Sequence, residues 1–99
     1  MPSYLVTFKF GRNADFGRRL DDFIGRLAIG DWWGETGTTM IVHSDEPIDA
    51  FSRRITAPAV FDEHSDIVVV VDLDNRLGRA RGPFHDGALF TAAPWIKRL

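Results

Sequence analysis

Thr38-Thr39-Met40-Ile41-Val42-His43-Ser44-Asp45-Glu46-Pro47 reads as a β-branched strand that stops at a serine and turns directly into a helix. Ser44 can cap a helix N-terminus with its hydroxyl, and Asp45 and Glu46 suit the positive end of the helix dipole. Pro47 is tolerated only in a first turn. The passage therefore predicts a strand ending at His43 and a helix over about residues 45 to 56. Ile48, Phe51 and Ile55 would face inward, and Ala57-Pro58 would end that helix.

Upstream, Asp31-Trp32-Trp33-Gly34-Glu35 reads as a short strand and Gly37 as a turn, so a hairpin with Thr38 to His43 is expected. Tyr4 to Phe10 is another strand: Tyr4, Val6, Phe8 and Phe10 share one face, and Leu5, Thr7 and Lys9 the other. Phe16, Leu20, Phe23, Ile24 and Leu27 recur at three-to-four spacing and predict a helix over about 14 to 28. Asn13 is its expected N-cap, Gly30 its end, and Arg18–Asp22 and Asp22–Arg26 are i,i+4 pairs. Downstream, Phe61 to Asp66 reads as a polar connection, and Ile67 to Leu73 as the strongest strand.

These elements run β-α-β-β-α-β. The expected class is α+β, a ferredoxin-like sandwich with two helices on one face of an antiparallel sheet. The core spans 3–73, a basic loop 74–83 and an apolar C-terminal extension 84–99, all in one domain. The strand at 67–73 is apolar on both sides, and the strand at 38–43 carries Thr39 and Ile41 opposite Met40 and Val42. A strand with one wet face should alternate. The second face therefore needs a cover: the tail, a second subunit, or both.

The 99 residues suit a single domain, and 44% hydrophobic with 26% charged residues is ordinary for a globular protein. The net charge of -2 gives no global basic field. With no cysteine there is no disulfide, thiolate metal site or cysteine nucleophile, which fits a cytoplasmic location. The N-terminal residues do not read as a signal peptide, and the longest apolar run, Ile67 to Val71, is too short to cross a bilayer.

The strand Tyr4-Leu5-Val6-Thr7, the Trp32-Trp33 pair before Thr38 to Ser44, the strand Asp66 to Val70 after an acidic connector, and Ala92-Ala93-Pro94-Trp95-Ile96-Lys97 together resemble the SinR-like proteins. That group is similar in fold to VapD-type toxins and to the small CRISPR-associated spacer-acquisition subunit. The resemblance implies a ferredoxin-like homodimer packed through its sheets and acting on or holding nucleic acid, DNA or RNA. Some members are metal-dependent nucleases whose acidic residue follows an aromatic one on the first strand. Here that pair is Phe8-Lys9, so a lysine stands where the carboxylate is needed. No metal site and no cofactor are expected, and the chain leans away from being an enzyme.

Among the histidines His43, His64 and His85, none sits in a zinc pattern. His43, at a strand end before Ser44, is the candidate general base for metal-free RNA cleavage. Its bland alternative is a strand-end histidine bonded to its neighbours. Arg76, Arg79 and Arg81, with Gly78 and Gly82, are the candidate phosphate contacts, extended by Arg53 and Arg54 and by Arg18 and Arg19. Asp72, Asp74 and Asp86 could instead pair with them. Trp32 and Trp33 could stack bases, although adjacent strand residues face opposite ways. Asp62, Glu63 and Asp66 could hold a cation or be merely solvated. Three functions follow: a non-catalytic dimeric nucleic-acid-associated protein, a metal-independent toxin-type ribonuclease, and a protein-interaction module on a ferredoxin-like dimer.

Overall fold

A computed structural model describes residues 3–11, 16–27, 32–34, 38–58 and 61–99. The elements in chain order are strand β1 (Ser3–Lys9), helix α1 (Phe16–Leu27), strands β2 (Trp32–Trp33) and β3 (Thr39–His43) and helix α2 (Ile48–Ile55). Strands β4 (Ile67–Asp72) and β5 (Leu77–Arg81), helix α3 (Ala88–Ala92) and strand β6 (Ile96–Arg98) follow. The protein is α+β. Among the described residues six strands form one sheet in the order β2-β3-β1-β4-β5-β6. Neighbours are antiparallel except β5 and β6, which run parallel.

One face of β1 makes the core. Tyr4, Val6 and Phe8 are buried, and so are Met40 and Val42 on β3 and Val68 and Val70 on β4. Residues opposite each other across a ladder share a face, and Val6 lies opposite both Met40 and Val70. Helix α2 covers this face with Ile48, Phe51 and Ile55, and α1 brings Phe23, with Ile24 packed beside it. Phe8, Phe10 and Phe23 form a ring cluster with centroids 4.7–5.6 Å apart, and Tyr4 stacks on Phe51 at 4.8 Å. Each such side chain contributes about 1.5–3 kcal/mol by burial. The expected inward positions Phe16, Leu20 and Leu27 lie outside the described side chains, and Asn13 and Gly30 outside the described residues.

The start of α2 departs from expectation. Ser44 does not cap it: its hydroxyl accepts the N–H of Glu46 at 3.1 Å and closes the turn ahead. The helix begins at Ile48 with Pro47 as its N-cap residue, φ −59° and ψ 152°. A proline disfavours helical backbone in the residue before it, so the helix cannot reach back through Glu46 to 45. At the other end Thr56 folds its hydroxyl onto the Ser52 carbonyl at 2.7 Å.

The connection 61–66 is not simply polar. Phe61 is buried, and the fully buried Asp66 accepts the N–H of Gly11 at 2.7 Å and of Asp62 at 2.9 Å. That carboxylate ties the end of β1 to the start of β4.

The basic loop expected at 74–83 is a turn followed by β5. Asp72 causes this. Its carboxylate accepts the N–H groups of Asp74 at 2.9 Å and Asn75 at 3.1 Å and the Asn75 amide at 3.3 Å. The chain reverses within four residues, and β5 returns along β4 with Arg79 opposite Val70 and Gly78 opposite Val71. The extension 84–99 has no single period because it holds two short unlike elements, α3 and β6.

Gly82 leaves β5 at φ 121°, and a methyl group there would collide with the Asp66 carbonyl and with Ile67. Gly82→Ala is expected to cost about 3 kcal/mol, on the order of 15 °C in Tm. Ser52 presents the opposite case: its hydroxyl is buried without a hydrogen-bond partner. Ser52→Ala should raise stability by about 1 kcal/mol. Thermal melts of the two variants beside the parent check both signs.

Candidate functional site

The candidate arginines divide by what holds them, apart from Arg19, whose side chain lies outside the described ones. Arg79 and Arg81 do not lie on a flexible loop. They project from β5 toward the helix face and flank α2. Arg79 Nε is 2.5 Å from Asp49 Oδ1, and its Nη1 donates to the Gly78 carbonyl at 2.7 Å. Arg81 donates to Thr56 Oγ1 and to Glu63 Oε2, both at 3.2 Å. Arg54 grips Glu46, with Nη2 2.7 Å from Oε1, and lies 5.5 Å over the Phe51 ring. Arg53 and Arg76 are exposed with no ion pair among the described residues, and so is Arg18 on α1. Asp49, Glu46 and Glu63 are therefore the acids that meet the arginines, not Asp72, Asp74 or Asp86.

His43 ends β3 opposite Ser3 and is exposed, and its imidazole makes no hydrogen bond among the described residues. An imidazole without a positioned acid, base or arginine lacks the geometry of general catalysis. Lys9 is exposed at the far end of β1, opposite Ile67. Asp86 accepts the Ala88 N–H at 2.9 Å instead of orienting His85. Asp62, Glu63 and Asp66 are occupied with backbone and Arg81. Among the described residues no group of three or more His, Cys, Asp or Glu could hold a metal ion. No helix there is long and apolar enough to cross a membrane.

The feature that sequence reasoning located only in outline is the second face of the sheet. Register puts Trp33, Ile41, Leu5 and Val71 in one row across four strands. Thr39, Thr7 and Val69 form the next row, and the two threonine hydroxyls meet at 3.3 Å. These side chains are half-buried, and Trp33 is 44% exposed. Beyond Val71 the cover begins. Gly78 and Ala80 are buried on this face: a methyl group on Gly78 would meet Ile96 and Trp95. Arg98, opposite Ala80, stacks on Phe90 at 4.4 Å and Phe84 at 5.7 Å. The tail thus covers β5 and β6 and stops there. Of the two tryptophans, Trp33 stands on the open face, while the side chain of Trp32 lies outside the described ones.

At the sheet end, burial alone would raise the Asp72 carboxyl pKa. The hydrogen bonds from the Asp74 N–H, the Asn75 amide and the Asn75 N–H outweigh it and hold the group below its ordinary range. The neighbouring Tyr4 phenol is pushed up by burial, then by the charges of Asp72 and Glu46, and donates to the Glu46 carbonyl at 2.7 Å.

No family model, curated protein or solved structure matches the chain.

A depressed Asp72 pKa favours the folded state above the unfolded carboxylate value of about 3.9. That contribution is lost as pH falls through the lower folded value. Asp72→Asn should therefore lower stability by about 1–2 kcal/mol at neutral pH. The gap to the parent should close toward pH 2, about two units below the unfolded value. A gap in Tm that stays constant across that acid range would show that the carboxylate charge has no part in the turn.

Proposed function

We propose that this chain is a non-catalytic protein-interaction module of ferredoxin-like architecture whose working surface is the open face of its sheet. One observation carries the reading: the row Trp33, Ile41, Leu5 and Val71 is apolar, contiguous and only half covered. An exposed apolar patch with polar rims is the usual mark of a protein contact. The interleaved order β2-β3-β1-β4, with both long helices in βαβ crossovers, supports the ferredoxin-like assignment.

Nucleic-acid association is the second reading, supported by the exposed, unpaired Arg53 and Arg76 and by the resemblance to SinR-like proteins. It ranks lower because Arg54, Arg79 and Arg81 already hold carboxylates within the chain. A phosphate would have to displace each of those partners. The ribonuclease reading ranks third, since among the described residues His43 has no partner to activate a hydroxyl or a water.

Labelled duplex DNA and single-stranded RNA separate the first two readings. At about 50 mM salt, where phosphate contacts are strong, fluorescence anisotropy is expected to show no saturable binding. Saturable binding with a log–log salt slope of several units, flattened by Arg53→Ala with Arg76→Ala, would put nucleic acid first.

A further inference from the structure

We infer that the cleft where β5 and β6 end is a binding site for the carboxylate of a small organic acid. It lies toward the sheet edge opposite β2, so it is independent of the apolar row and of the protein contact proposed there.

The cleft has a volume of about 310 Å³, and Arg81, Arg98, His64, Glu63, Pro83 and Leu99 border it. Pockets for small ligands begin at about 300 Å³. Arg81 leaves β5 toward α2, and Arg98 leaves β6 on the face that the tail covers. Both reach one cleft because each is the last residue of its strand.

The two guanidinium groups are held by different means. Arg98 lies 4.4 Å over Phe90 and 5.7 Å over Phe84, two rings that pack edge to face. Stacking uses the face of a guanidinium and leaves its edge, which carries the N–H donors, open. That edge meets no acceptor among the described residues. Arg81 is anchored on Thr56, a buried residue, whose Oγ1 accepts at 3.2 Å. Donors fixed in this way lose little freedom when an oxyanion arrives.

Glu63 shows what these donors attract. Its Oε2 sits 3.2 Å from Arg81 Nη2, the longest ion pair among the described residues, and its side chain is 58% exposed. A well-formed charge-assisted bond is about 2.7–2.9 Å long. The tether is therefore loose, and a better-placed carboxylate can take over the donor. Charge selects the class of anion. Apart from His64, the bordering side chains set two arginines against one glutamate, a surplus of one positive charge. A single carboxylate neutralises that surplus. A polyanion would be opposed by Glu63 and by the net charge of -2. Pro83 and Leu99 give a short aliphatic body something to lie against, and the His64 ring adds a donor in either protonation state.

The test is an NMR titration of the full chain with sodium butyrate. It follows the Nε signals of Arg81 and Arg98 and the amide signals of Gly82 and Leu99. Saturable shifts are expected, with a dissociation constant on the order of 1–10 mM. Butyramide, which has the shape without the charge, and sodium chloride should not saturate them. Arg98→Gln should weaken binding at least about tenfold by removing a charged donor. Glu63→Gln keeps an acceptor for Arg81 but not the charge, and should tighten binding about threefold. Both side chains are exposed, and thermal melts of the two variants separate these effects from unfolding.

A parent chain without saturable shifts overturns the site. Tighter binding of inorganic phosphate overturns the carboxylate and gives the cleft to phosphate. Binding that Arg98→Gln leaves unchanged, or that Glu63→Gln does not tighten, overturns the roles given to those residues and the site with them. A glutamate-rich peptide that saturates the same signals at lower concentration than butyrate overturns the free acid and makes the carboxylate a partner protein's.

Discussion

β1 pairs antiparallel with β3 on one side and with β4 on the other, from Ser3 to Lys9. Side chains alternate along it, so turning Tyr4, Val6 and Phe8 into the core turns Leu5 and Thr7 out. The same register that sets Val6 against Met40 and Val70 sets Leu5 against Ile41 and Val71. Core and open face are thus two consequences of one pairing. A slip by one residue would exchange them, and burial of the three aromatic and aliphatic side chains on the helix side holds the register. The Asp66 carboxylate reinforces it by tying Gly11, just past β1, to the start of β4.

Helix α2 is set by a different kind of contact. Its buried stripe fixes its depth, and the arginines of β5 fix its flank: Arg79 reaches Asp49 near its start, and Arg81 reaches Thr56 at its end. Half-exposed ion pairs of this kind are worth about 0–1 kcal/mol each. Their main effect here is on charge. They return three of the basic side chains to acids of the same chain, while Lys9, Arg18, Arg53, Arg76, Lys97 and Arg98 stay exposed.

The tail gives β4 its mixed surroundings. Val69 lies opposite Ala80 and Val71 opposite Gly78, where the cover starts, and opposite Thr7 and Leu5, where it is absent. Gly78 has no side chain because Ile96 and Trp95 occupy that space. A glycine in a strand interior marks such a close approach.

The order of the first six elements was legible because four of them carry a pattern of their own: alternation in 4–10, three-to-four spacing in 16–27, a β-branched run at 38–43 and at 67–71. The apolar second face was legible for the same reason, since a two-sided strand needs two covers. Residue pattern alone therefore determined the class, the central strands and the presence of an apolar second face. It did not determine β5, whose Arg-Ala-Arg pattern is that of a solvated loop until the Asp72 turn aligns it with β4. It did not determine which carboxylates the arginines meet, because Glu46, Asp49 and Glu63 lie 8 to 30 residues away along the chain. Nor did it determine how far the tail extends across the sheet. Period and propensity are local properties and can be read from neighbours in sequence. Register, ion pairing and cover are contacts between distant segments, and only the folded chain brings those segments together.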